Sequence, residues 1–327
     1  MVAIDVAVIR AQHLGDLLCM IPMIRALRFA GPRSRIVLIG LPWARAFCER
    51  YPHYFDGFME FPGWSGVPDC EPSGPRMAAF QSQIERSFDI VLQLHDDGAD
   101  MNDFAAMIRS RVHAGFVPRD MFEVPAFHTR YPDALPEPLR LLAGIAPLGL
   151  DTIDASLELP VFETDREEAH ALIAALGSTR QPYAVIHPGS LGDDRRWPAA
   201  HFATVANALT SRGIQVVVTG SEAERPIIDA FAAQLSAPVI DVVGRTSLGA
   251  LAALVDGAQV VVTNDNGVSH VAVARGTRSV VVFVGSDPAR WAPLDRSRHV
   301  ALGDGRGMRP MPADVIHAAL ALVGTAA

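Results

Sequence analysis

Apolar positions fall along this chain in two kinds of block. Short, mainly apolar runs, VAVIR (6–10), RIVLIG (35–40) and FDIVLQLH (88–95), recur along the first half. Longer stretches, LLCMIPMIRALRFA (17–30) and a segment around 101–110, carry apolar residues at helical spacing. A short run that is apolar on both sides predicts a strand covered on both faces. Such strands separated by helices predict a parallel sheet. Pro22, inside the first helical stretch, predicts a kink or break there.

The pattern restarts after residue 180. YAVIHPGS (183–190) reads as strand then loop, PAAHFATVANALTSRG (198–213) as a helix with Pro at its start and Gly past its end. IQVVVTGS (214–221) and PVIDVVG (238–244) predict strands. EAERPIIDAFAAQL (222–235), SLGALAALVDGA (247–258) and ADVIHAALALVG (313–324) predict helices. Two Gly- and Pro-rich stretches interrupt the pattern. Residues 61–76 read as a surface loop, and 131–160, with five prolines, as the approach to a domain boundary holding one short helix.

The segment AQVVVTNDNGVSHVAVARGTRSVVVFVG (258–285) allows two readings. Asn-Gly between apolar runs is a hairpin signal. The alternative makes GVSHVAVARG a crossover helix between parallel strands, in keeping with its neighbours. In the second reading Asp265, Asn266 and Gly267 open a helix at the carboxyl end of a strand, where α/β sheets bind ligands and free N–H groups favour phosphate. His270 lies one turn in. Asp265 then either caps the helix or meets a ligand hydroxyl.

Three further loops carry chemistry. In HPGSLGDDRRWP (187–198), Gly189 and Ser190 follow a strand. Arg195 and Arg196 either clamp a diphosphate or pair with Asp193 and Asp194. In VTGSEAE (218–224), Glu222 or Glu224 either accepts hydrogen bonds from a ribose or complements the helix N-terminus. In RAQHLGDLL (10–18), Asp16 is either a helix N-cap or a general base, with His13 a second candidate. The Leu-Gly-Asp of this loop recurs in YAVIHPGSLGDD, a faint echo between the halves.

Length and charge narrow the class. The 327 residues favour two domains. A net charge of -8 argues against a nucleic-acid binder and against simple attraction to anionic lipid. All 28 basic residues are Arg, spread along the whole chain. Three separated cysteines, Cys19, Cys48 and Cys70, suggest a reduced compartment and neither a disulfide framework nor a zinc site. No secretory leader and no apolar run of about 18 residues is present, which predicts a soluble, cytoplasmic protein. The absence of GxGxxG and GxxxxGK[ST] disfavours ordinary dinucleotide oxidoreductases and phosphate-loop NTPases.

With these pieces in order, the chain resembles glycosyltransferase family nine, best known for ADP-heptose:lipopolysaccharide heptosyltransferases. The resemblance runs through LGDLLCMIPMIRALR, HPGSLGDDRRWPAAHFATVANAL, VVVTGSEAE, VVGRTSLGALAALVDGAQVVVTNDNGVSHVAVARG and VVVFVGSDPARWAPL. It implies an α/β GT-B architecture, two Rossmann-like domains with parallel sheets facing a central cleft. Residues 1–160 would bind acceptor and 161–310 the nucleotide-sugar donor. Residues 311–327 would form a helix packing back on the first domain. It implies inverting, metal-independent transfer of heptose from ADP-heptose to a sugar hydroxyl, with lipopolysaccharide inner core as acceptor and no cofactor. By motif, Asp16 is the base, and Arg195 stands where the family has a donor-phosphate Lys. Glu222 is the ribose carboxylate. Gly189, Ser190, Asp265, Asn266, Gly267 and His270 line the donor site. His13, Gly15, His95 and Asp97 fall on the acceptor side.

The chain departs from the pattern at Arg195 and in the acidic DDGADMND that follows His95. These departures keep two alternatives open: another nucleotide sugar acting on a small secondary metabolite, and an inactive nucleotide-binding relative. A lipid-linked acceptor would bring the protein into peripheral contact with the inner face of the inner membrane. Three cysteines cannot build the four-cysteine metal site of family members that modify autotransporters.

Overall fold

The computed structural model describes residues 3–67, 70–84, 87–150, 154–177 and 182–324. The chain divides into two compact units, Met1–Ser156 and Leu157–Ala327; the sequence placed the boundary at 160.

The first unit runs β1 (Asp5–Ile9), α1 (Leu14–Ala30), β2 (Arg35–Gly40), α2 (Ala44–Glu49), β3 (Gly57–Glu60), α3 (Gly74–Gln83), β4 (Phe88–Gln93), α4 (Met101–Ala106), β5 (Ser110–Val117), β6 (His128–Arg130) and α5 (Glu137–Ile145). Its six strands form one parallel sheet in the order β3-β2-β1-β4-β5-β6. Val6, Ala7, Val8 and Ile9 are all buried, as a strand between two helical layers requires.

Pro22 does not break α1, which continues through it. The helix is buried along most of its length. Packing therefore offsets the roughly 3 kcal/mol that an interior proline costs. Residues 61–76 are not simply a surface loop either. Phe61, Val67 and Cys70 lie in the core with Ile39, Phe80 and Phe104, and α3 begins at Gly74. Cys19, Cys48 and Cys70 are free and buried. Among the described residues no helix is long and apolar enough to cross a membrane.

The second unit runs α6 (Glu163–Ala175), β7 (Tyr183–His187), α7 (Ala199–Thr210), β8 (Gln215–Val218), α8 (Arg225–Ala232), β9 (Ile240–Asp241), α9 (Leu248–Asp256), β10 (Val260–Asn264), α10 (Gly267–Arg275), β11 (Ser279–Val282), α11 (Pro288–Trp291), β12 (His299–Leu302) and α12 (Pro312–Gly324). Its sheet is again parallel, ordered β12-β11-β10-β7-β8-β9. Counted from its own first strand this is the strand order of the first unit. The fold class is the α/β pair of Rossmann-like units read from the sequence. The hairpin reading of 258–285 fails, because β10 and β11 are parallel with α10 as the crossover. The strand expected over 238–244 shrinks to Ile240–Asp241. Asp241 Oδ1 accepts from Val243 N at 2.9 Å, and the chain then turns through Gly244 at φ +70°. The last helix, expected against the first unit, contributes Val315, Ala319 and Leu322 to the core of the second.

Candidate functional site

In both sheets the strand order reverses beside the first strand: between β1 and β4, and between β7 and β10. Crossovers leave to opposite faces there, so the loops after the two central strands part and open a crevice at their carboxyl ends. The sequence-predicted residues gather at these two points.

In the second unit, β7 ends at His187 beside Thr263 of β10. The loops after them are tied together by two asparagines. Asn264, the last residue of β10 and fully buried, accepts from Trp197 N at 2.9 Å. It donates to Pro188 O at 2.7 Å and Gly189 O at 3.2 Å. Asn266 caps α10, accepting from Val268 N at 2.9 Å, and donates to Gly189 O at 2.9 Å. Its amide is thus committed to shaping the loop, and the capping role weighed for Asp265 belongs to Asn266. Sequence reasoning missed Asn264, which reads as one more residue of a strand. Asn264→Ala leaves Trp197 N–H and Pro188 C=O buried without this partner. It is expected to lower the unfolding free energy of the second unit by about 3 kcal/mol, read from denaturant melts.

Around this clip Ser190, Asp265 and His270 are buried, and the His270 ring meets Trp291 edge-on at 5.9 Å. Gly267 is the first residue of α10, so the early N–H groups of that helix lie beside Gly189. Of the two arginines only Arg196 pairs as the plainer reading expected. It meets Asp193 at 2.6 Å and Ser190 O at 2.9 Å. The Arg195 guanidinium is exposed and makes no ion pair or hydrogen bond among the described residues. Its turn lies over Gly285, where an added Cβ would meet Asp194 O at 2.7 Å. Gly285 was a second omission; the only signal was its place in the VGSDP that follows β11.

The two glutamates separate. Glu222 is 77% exposed and its carboxylate lies over Gly244. Glu224 turns inward toward His187, at 3.7 Å, and a Cβ on Gly189 would strike its carboxylate. Burial alone would push the Glu224 carboxyl up. Its hydrogen-bonding and electrostatic pairing with His187, and two hydrogen bonds from Ser221, 2.7 Å from N and 2.9 Å from Oγ, outweigh burial and hold it at about 2. Glu224 therefore stays ionised and acceptor-only across the neutral range.

In the first unit, α1 starts at Leu14 with His13 as its cap, and the His13 side chain makes no capping bond. Asp16 is consequently not the N-cap. It lies in the first turn, after the buried Gly15, with its carboxylate 3.2 Å from Arg10 Nη2. The opposite loop follows β4. There His95 is buried and 3.5 Å from Asp96, and Gln12 Nε2 donates to Asp96 Oδ1 at 3.1 Å. Asp96 holds a left-handed φ of +46°, an uncommon conformation for a non-glycine residue. Asp97 accepts from Ala99 N at 3.0 Å and so braces its own turn. His13, Gly15, Asp16, His95 and Asp97 thus lie on the two loops of one crevice. Among the described residues no group of three or more His, Cys, Asp or Glu is placed to hold a metal ion.

Comparison with known proteins agrees with this geometry. Residues 121–310, more than half of the chain, match glycosyltransferase family 9 (heptosyltransferase). Lipopolysaccharide heptosyltransferase 2 of Salmonella typhimurium is 33% identical over 128 residues, 38% of this chain and 37% of that protein. The chain therefore spans little more than a third of the length of this curated relative. The solved structure of a family 9 glycosyl transferase from Veillonella parvula superposes with a TM-score of 0.83 at 22% identity, covering 100% of this chain and 99% of the other. The ADP-heptose lipopolysaccharide heptosyltransferase II of E. coli gives 0.73 at 21% identity, covering 98% and 99%. These two likenesses establish the fold.

Proposed function

Since the chain belongs to glycosyltransferase family 9, we propose that it is an inverting glycosyltransferase that moves a heptose from ADP-heptose to a sugar hydroxyl of lipopolysaccharide inner core. The observation that carries the reading is the loop pair at β7 and β10. It offers an anion two things together, the free Arg195 and the N-terminus of α10, on either side of the Gly189 loop. The names of the relatives, a lipopolysaccharide heptosyltransferase and an ADP-heptose enzyme, support the donor and the acceptor.

In this mechanism Asp16 takes the proton of the acceptor hydroxyl as its oxygen attacks the anomeric carbon. The bond to the diphosphate breaks in the same step, which inverts the configuration. Negative charge then grows on the leaving diphosphate. Arg195 and the α10 N–H groups meet that charge, so the step needs no metal. Glu222 and Glu224 are the carboxylates at the end of β8 that can accept ribose hydroxyls. Ser190, Asp265 and His270 line the sugar-diphosphate side, and Asn266 and Gly267 set the backbone that faces it. The acceptor meets the crevice that carries His13, Gly15, His95 and Asp97. An acceptor built on a lipid places the enzyme at the cytoplasmic face of the inner membrane.

The deciding experiment is calorimetric titration with ADP, UDP, GDP and CDP in the presence of a chelator. ADP is expected to bind at least about tenfold tighter than the others, a difference of about 1.4 kcal/mol. Preference for another base would keep the reaction type and replace the donor. Binding of none, with no turnover of ADP-heptose, would make the protein an inactive relative.

A further inference from the structure

Asp16 belongs to a group of four charges, and it alone of the four reaches solvent. Its side chain is 15% exposed, against 1% for Arg10 and 2% each for Glu137 and Arg140. Arg10 follows β1 and grips Asp16 twice, Nε to its backbone O at 3.2 Å and Nη2 to Oδ1 at 3.2 Å. Its Nη1 donates to Leu94 O after β4. The same Nη2 donates to Glu137 Oε1 on α5 at the shorter distance of 2.7 Å. Glu137 Oε2 lies 3.3 Å from Arg140. Arg140 is itself fixed by Tyr131 OH, by the carbonyls of Pro132, Asp133 and Leu135, and by the Tyr131 ring at 4.5 Å.

We propose that Arg10 is the positioning residue for Asp16 and that Glu137 sets the basicity of Asp16. The proposal rests on the reading of Asp16 as the base. A buried guanidinium at hydrogen-bond distance favours the ionised carboxylate and lowers its proton affinity by about 1–3 pH units. The first turn of α1 acts in the same direction. Unopposed, the two would leave Asp16 a poor acceptor for a hydroxyl proton, because a general base works best when its pKa lies near the working pH. Glu137 opposes them by sharing the charge of the nitrogen that faces Asp16. Arg140, held from five sides, competes with Arg10 for the charge of the Glu137 carboxylate. The other titratable groups near this network are Tyr131 against Arg140, His13 at the start of α1, and His95 and Asp96 after β4. All four stay unchanged in the variants below.

A purely architectural network would cross-link β1, β4, α1 and α5 without tuning anything, and the two roles separate by sign. The test is a carbon-13 NMR titration of the Asp16 carboxyl, assigned with Asp16→Asn, in the wild type, Glu137→Gln and Arg10→Met. Glu137→Gln keeps the acceptor oxygen and removes the charge, and the Asp16 midpoint is expected to fall by about one pH unit. Arg10→Met is expected to raise it by a similar amount. The acid limb of kcat/KM for ADP-heptose should follow in both directions. Midpoints that stay put in both variants, with kcat merely reduced, would overturn the proposal. Circular dichroism checks folding. Should Glu137→Gln not fold, Arg140→Met removes the competing cation and is expected to raise the midpoint; no movement there is equally fatal. Full turnover by Asp16→Asn would defeat the reading of Asp16 as the base, whatever the midpoints do, so the two failures are distinguishable.

Discussion

Asp16→Asn is expected to lower kcat by about 10³-fold while ADP binding stays within about twofold of the wild type. Removal of a positioned general base costs roughly 10²–10⁴ in rate. The isosteric amide limits structural damage. Its oxygen can still accept from Arg10 Nη2, and Glu137, 2.7 Å from the same nitrogen, still balances the guanidinium. Asp16 also belongs to the first unit, whereas the loops proposed to hold the nucleotide belong to the second. Single-turnover kinetics with ADP-heptose, set beside calorimetry with ADP, make the test. Loss of ADP affinity together with turnover would show that Asp16 supports the fold.

The second large effect is expected at Arg195. Arg195→Ala should lower kcat by about 10²–10³-fold at saturating donor, because a cation aimed at the leaving diphosphate acts most strongly once charge has developed there. ADP affinity should fall much less. Arg195→Lys should recover part of the loss, since a point charge replaces a fork. Arg196 supplies the control within the same loop. Its guanidinium already holds Asp193 and Ser190 O, so Arg196→Ala should loosen the loop and weaken ADP binding along with kcat. A kcat loss confined to Arg196→Ala, with Arg195→Ala near wild type, would exchange the two assignments.

Much of this arrangement was legible in the residues, and the misses share a physical cause. Strands buried on both faces announce themselves as apolar runs, so β1, β2, β4, β7, β8, β10 and β11 were visible. Strands at or near the sheet edges, β5, β6 and β12, carry Arg, His or Thr among their residues, and that signal fades. The glycines and prolines of 61–76 suggested a surface loop. Turn chemistry says nothing about the burial of the Phe61, Val67 and Cys70 carried between the turns.

Among the site candidates, loops at strand ends were recognisable by their small and charged residues. What could not be read was which polar groups spend their hydrogen bonds on one another. Asn264 looked like the end of a strand and proves to be a clip. Arg10 looked like the last residue of VAVIR, and its partner Glu137 stands 127 positions further on. No periodicity links such a pair; only the sheet order brings β1 and α5 together.

The cap of α10 also bears on how this protein ages. Asparagine followed by glycine is a chemically fragile pair, because the glycine nitrogen can attack the side-chain amide and expel ammonia. Asparagine is among the thermolabile residues for this reason. At Asn266–Gly267 both ends of the amide are engaged, the oxygen by Val268 N and the nitrogen by Gly189 O. Gly267 is itself committed to the first turn of a helix. The cyclisation therefore has to await a local opening of the loop. A chain that suffers it returns with a carboxylate facing the Gly189 carbonyl, two acceptors with no hydrogen between them. Such a molecule would count as intact by length while the loop between β10 and α10 no longer closes on Gly189. Shelf life and functional half-life would then be set by how often this one loop breathes.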